Sequence, residues 1–177
     1  YDLLPSNGDL TAAEVELLEL KNKESRLRHA LLNVKDNYDF IIIDCPPSLS
    51  MLTINSLVSC DGVIVPMQCE YFALEGLSDL IGTISKISQR FNPKLKLEGI
   101  VRTMFDPRNT LSNEVTAQLT KHFGKIMYQI AIPRNVRLAE APSHGLPGLV
   151  YNKKSKGALA YLGLAGEILR RERELIN

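Results

Sequence analysis

Four consecutive apolar residues, Phe40-Ile41-Ile42-Ile43, end on a carboxylate, Asp44. A run this short cannot cross a bilayer, which takes roughly 20 apolar residues in a helix. An unbroken, mostly β-branched run predicts a strand over 38–44, buried on both faces as in a parallel sheet. The spacing of apolar residues elsewhere agrees. It predicts further strands over 62–66, also buried on both faces, over 97–104, and a short one over 127–132. Helical periodicity predicts a helix over 24–35, with Leu27, Ala30, Leu31 and Val34 on one face. It predicts another over 74–90, carried by Leu77, Leu80, Ile81, Ile84 and Ile87. Helices are also expected over 49–59, 110–123 and 155–174, the last turning Leu159, Leu162, Ala165 and Leu169 inward. Strands alternating with helices specify an α/β fold, a parallel sheet with helices on both faces. The 177 residues suffice for one core, and 1–177 reads as a single domain.

Hydrophobic residues make up 45% and charged residues 23%, a soluble globular balance. The first residues lack the basic and apolar regions of a signal peptide, and Tyr1 in place of Met suits a fragment or a processed product. Cys45, Cys60 and Cys69 are odd in number and match no metal spacing, so reduced thiols in a cytoplasmic protein are expected. His29, His122 and His144 are too scattered to bind a metal. Charge is uneven. Residues 1–89 hold six Lys/Arg against thirteen Asp/Glu, whereas residues 90–137 hold nine against three. The second stretch is either polyanion-facing or ordinary solvated surface.

In parallel sheets, ligands sit at the C-terminal ends of the strands. Asp44 stands at such an end, the geometry of a Walker B carboxylate that holds Mg²⁺ through water. Pro46-Pro47 stiffens the turn behind it, where a nucleotide-sensing switch would lie. Asp is also a common helix N-cap, so position alone leaves both roles open.

Four blocks narrow the choice. They are Tyr38-Asp39-Phe40-Ile41-Ile42-Ile43-Asp44-Cys45-Pro46-Pro47-Ser48-Leu49; Val65-Pro66-Met67-Gln68-Cys69-Glu70-Tyr71-Phe72-Ala73-Leu74-Glu75-Gly76; the stretch from Ile132-Pro133-Arg134-Asn135-Val136-Arg137 to Gly145; and Ser155-Lys156-Gly157-Ala158 with Tyr161, Leu164, Ala165 and Glu167. In this order, and over nearly the whole chain, they resemble ParA/Soj-type partitioning ATPases, which are P-loop NTPases with a deviant Walker A loop. That loop, Lys-Gly-Gly-x-Gly-Lys-Thr, is not in these residues, nor is the family's upstream water-orienting aspartate. Gly124-Lys125 has Leu119 where the loop needs glycine and Ile126 where it needs Ser or Thr. The chain therefore reads as the C-terminal portion of such an ATPase, its N-terminal βα units missing. Without the loop it is expected neither to bind ATP tightly nor to hydrolyse it.

The resemblance implies ATP and Mg²⁺ as cofactors of the parent, with Asp44 as the magnesium carboxylate. It places Pro133 and Asn135 beside the adenine, with Thr103 and Met104 as further candidates for that pocket. Arg108 and Arg137 match positions tied to non-specific DNA binding, and both lie in the basic stretch. Pairing with acids such as Glu140 is the alternative for them. Lys153, Lys154 and Lys156 either extend that face or form a solvated cluster. The implied protein is a nucleoid-associated cytoplasmic switch that dimerises with ATP, binds DNA and is released by a ParB-type partner. A MinD-like membrane-cycling ATPase is the second reading; the charged tail 170–177 argues against insertion. A non-catalytic interaction module without the loop is the third.

Overall fold

The computed structural model describes residues 1–46 and 48–176, without the side chains of 175 and 176. The helices are α1 (Asp9–Leu17), α2 (Arg26–Leu31), α3 (Met51–Ser59), α4 (Ala73–Arg90), α5 (Thr110–Phe123), α6 (Val136–Glu140), α7 (Gly148–Tyr151) and α8 (Lys156–Ile176). The strands are β1 (Gly62–Gln68) and β2 (Lys96–Thr103), paired in one sheet. Lys96 N donates to Asp61 O, so both strands start at the same end and run parallel, with α4 as the crossover between them. The fold is α/β, as the sequence pattern requires. The chain divides into two compact units, 1–63 with 81–96, and 64–80 with 97–177.

In the first unit, α1 and α2 pack on α3. Buried Asn55 ties α2 and the turn before it to α3. Its Oδ1 accepts from Leu27 N (3.1 Å), and its Nδ2 donates to Lys23 O (2.7 Å) and Met51 O (2.9 Å). Three predicted features differ here. The helix over 24–35 is confined to Arg26–Leu31 between two 3₁₀ turns, and Ala30 and Val34 are exposed. The helix α1 was not expected. The stretch 38–44 is not a strand, and Ile42 is 90% exposed. A strand exists only when a neighbour completes its hydrogen-bond ladder, and no described strand lies alongside this one.

In the second unit, β1 alternates strictly after Ile64: Val65 and Met67 are buried, Ile64, Pro66 and Gln68 exposed. It is therefore covered on one face, not both. In β2, Ile100 (0% exposed) and Val101 (2%) point to opposite faces and are both buried. The expected strand over 127–132 is reduced to a parallel bridge with β2 at Ile100–Met127, and a second bridge, Phe105–Pro133, lies just beyond both segments. Its backbone bonds are nonetheless regular: Tyr128 N to Ile100 O (2.9 Å) and Ile132 N to Arg102 O (2.8 Å). Val101, Tyr128 and Ile132 form the core beneath α8, packed by Ile130, Leu138, Ala160, Leu164 and Ile168. The inner face of α8 is thus not the predicted one, for Leu159, Leu162, Ala165 and Leu169 are all exposed. The stripe through Ala158, Leu164, Glu167 and Ile168 is turned inward instead. One of its members is of a type usually found at the surface, but Glu167 is 3% exposed and accepts from Gln129 N (2.9 Å), Ile130 N (3.1 Å) and Arg171 (2.8 Å). Arg171 lies 4.1 Å over the Tyr128 ring and also donates to Met127 O.

Among the described residues no helix is long and apolar enough to cross a membrane.

Burial alone would raise the Glu167 pKa, but two backbone donors and the Arg171 guanidinium outweigh it and hold the carboxyl below its ordinary value. A depressed folded-state pKa stabilises the fold above the unfolded value, near ~4.3, and that contribution is lost as pH falls through the folded value. Stability measured by denaturant melts is therefore expected to decline below about pH 4. Glu167→Ala, which strips three donors of their acceptor, should cost about 2–4 kcal/mol at neutral pH. Glu167→Gln should cost less.

Candidate functional site

Asp44 belongs to the first unit, where it is exposed in irregular backbone after the apolar run. Pro47, in the expected switch turn, lies outside the described residues. Ser50 caps α3 by accepting from Leu52 N (3.2 Å), so the capping role that Asp44 had as an alternative is filled by a later residue. Among the described residues no three His, Cys, Asp or Glu side chains cluster as metal ligands.

The other six candidates belong to the second unit, and four of them gather where β2 ends. Thr103 is its last residue, half-buried. Met104 follows with φ 51°, a left-handed backbone in which an unbranched side chain is uncommon, and is 45% exposed. That reversal of the chain sends Phe105 beside Pro133: Phe105 N donates to Ile132 O (3.0 Å), and Arg134 N to Phe105 O (3.4 Å). Two residues on, Asn135 caps α6, its Oδ1 accepting from Leu138 N (3.2 Å). A Cβ on Gly157 would lie 3.0 Å from the Asn135 Cβ and clash with Leu138, so α8 approaches this turn closely because Gly157 has no side chain. Thr103, Met104, Pro133 and Asn135 are thus brought to one end of β2, the end at which parallel sheets hold ligands.

Both arginines are paired. Arg108 (side chain 88% exposed) grips Asp106 with two parallel bonds, Nε to Oδ1 (3.0 Å) and Nη2 to Oδ2 (2.8 Å). The bonded Arg108 guanidinium lowers the Asp106 pKa to about 2. Arg137 bonds Glu140 (2.8 Å) one turn later on α6, the pairing that its sequence left open, and Tyr151 O–H donates to the same carboxylate (3.2 Å). The Arg137 guanidinium lowers the pKa of Glu140. The roles of Asp106 and Tyr151 went unread in the sequence. The spacing Asp106-Pro107-Arg108 was the available signal, because a turn with Asp at its start lets the carboxylate bond two residues ahead. The unit also has an open hollow of about 810 Å³, walled in part by Val65, Met67, Tyr71, Phe72 and Leu77. None of the candidates lines it.

Comparison with known proteins places this arrangement. The profile of a family described as an AAA domain matches residues 1–97. A Mycobacterium smegmatis protein named cobyrinic acid a,c-diamide synthase, solved with bound ADP and magnesium, superposes with a TM-score of 0.76 at 37% identity, over 96% of this chain and 62% of its own. Fold and profile together define a P-loop ATPase architecture. The chromosome partitioning protein ParA of Myxococcus xanthus is 49% identical over 96% of this chain and 60% of its own length. The sporulation initiation inhibitor protein Soj of Bacillus subtilis is 49% identical over 94% of this chain and 66% of its own. The chain belongs to the ParA/Soj-type partitioning ATPases. It spans about two thirds of the length of the curated relatives it matches.

Asn135→Ala removes the cap of a five-residue helix and should lower stability by about 1 kcal/mol in thermal melts. Asn135→Asp, which keeps the acceptor at a helix N-terminus, should restore most of it.

Proposed function

We propose that the protein is an ATP-switched DNA-partitioning protein. ATP and Mg²⁺ bring two copies together, the dimer binds duplex DNA of any sequence, and a ParB-type partner stimulates hydrolysis and release. The cell compartment that fits is the cytoplasm, on the nucleoid. The observation that carries this reading is likeness at 49% identity to a chromosome partitioning ParA across 96% of the chain, through all four sequence blocks.

The residues fit the cofactors. Mg²⁺ in nucleotide sites takes one or two protein carboxylates and fills its shell with phosphate oxygens and water. A lone exposed Asp44 is that kind of donor, and metal of this kind neutralises charge on the phosphates. Thr103, Met104, Pro133 and Asn135 supply a half-buried, largely apolar rim suited to an adenine ring. Arg108 and Arg137 supply exposed planar forks that match phosphate, in the basic stretch 90–137. Contacts of this kind bind without sequence preference and weaken steeply with salt.

Residues 1–177 contain no Lys-Gly-Gly-x-Gly-Lys-Thr loop to cradle the phosphates. Calorimetric titration of this chain alone should show no micromolar ATP binding; such binding would refute the assignment of the phosphate cradle to a segment outside it. In the full-length protein, Arg108→Glu with Arg137→Glu should abolish the DNA mobility shift and spare nucleotide binding. Undiminished DNA affinity would refute the role of these arginines. Liposome co-sedimentation in the presence of ATP separates this reading from a membrane-cycling relative, which would pellet with the lipid.

A further inference from the structure

Resting on the DNA-binding reading above, we propose that Asp106 and Glu140 act as built-in phosphate mimics that occupy the two arginine forks and set how tightly the protein holds DNA. A carboxylate presents two oxygens in the plane that a guanidinium recognises, much as a phosphate does. Asp106 occupies two donors of Arg108 in this way, at 3.0 and 2.8 Å, and Glu140 occupies Arg137 at 2.8 Å. A DNA phosphate reaching either arginine meets a donor already engaged, and must displace a negative charge.

Neither carboxylate is a chance neighbour. Asp106 Oδ1 also accepts from Arg108 N (3.0 Å), so the acid is built into the turn that projects the arginine. Glu140 Oε2, the oxygen that Arg137 bonds, also accepts from Tyr151 O–H (3.2 Å). The bonded arginines hold both carboxyls below their ordinary pKa, so both are ionised at neutral pH. Arg134, near enough to lower the Asp106 pKa further, adds a third cation to the same surface. Each of the two forks is offset by its own carboxylate, although the stretch as a whole is basic.

Magnitudes favour a modest brake. Pairing between exposed groups is weak, so displacing one such carboxylate weakens binding by up to about fivefold. That suits a protein which must let go of DNA repeatedly. The second signature is salt. Each fork freed from its carboxylate neutralises phosphate without returning a charge to the surface, steepening the dependence of log K on log salt by up to about 0.9 per contact.

The test is fluorescence anisotropy of the full-length protein with ATP and Mg²⁺ on a mixed-sequence duplex oligonucleotide, across a salt series. Asp106→Asn keeps the acceptor for Arg108 N, and Glu140→Gln keeps one for Tyr151. Each should tighten binding about two- to fivefold, the pair about tenfold, with a steeper salt slope. The gain from Asp106→Asn should vanish in an Arg108→Ala background. Unchanged or weaker binding in the acid variants, or a gain that survives loss of its arginine, would overturn the inference. If Arg108→Ala with Arg137→Ala leaves DNA affinity intact, the DNA-binding reading itself fails, a result distinguishable from the first. Should Asp106→Asn misfold, Glu140→Gln in intact and Arg137→Ala backgrounds answers the same question.

Discussion

A single buried carboxylate holds the second unit in register. Glu167 on α8 accepts from the backbone of Gln129 and Ile130, and Arg171, a turn later, reaches the carbonyls of Ile126 and Met127. The peptide so held bonds to β2 at Ile100 and Arg102 and then delivers Pro133 against Phe105. The loops that carry Met104 and Arg108 on one side, and Asn135 and Arg137 on the other, leave from this junction. Desolvating the carboxylate costs free energy, and three donors offset it. In return the segment 126–132, too short of rungs to count as a strand, has a fixed position.

That carboxylate also shows where pattern reading stops. Apolar spacing on α8 contains two stripes. The one through Leu159, Leu162, Ala165 and Leu169 is richer in apolar residues, and the structure leaves it exposed. The inner stripe contains Glu167 and Arg171, which no hydrophobicity count assigns to a core. Their burial depends on backbone donors about forty residues away in sequence. Helices α4 and α5, by contrast, follow their apolar spacing closely, because Leu77, Ile84, Ile87, Val115 and Leu119 meet ordinary apolar neighbours. Strand 38–44 was the strongest signal in the chain and is absent. Composition can mark a segment as fit for burial, but the covering must come from another segment.

The candidate site was legible in proportion to how local its chemistry is. The residues at the end of β2 follow from strand ends and from resemblance, and the chain gathers them as that rule implies. The partners of the two arginines were harder to see. Counting charges over 90–137 registers an excess of cations, yet says nothing about which of them already hold an anion. Asp106 counted as one of only three acids in that stretch, and Glu140 lies just beyond it. Net charge attracts a polyanion at long range; what happens on contact is decided by pairs within 3 Å.

The cap on α6 ties two of the candidate positions together. Asn135 is the residue expected beside the base, and it is also the one that starts the helix bearing Arg137. Leu138, whose amide it holds, would collide with any side chain at Gly157. A displacement of Asn135 therefore has little slack before it moves the first turn of α6, the helix that bears Arg137. One peptide turn thus fixes where that helix begins and how its first residues point.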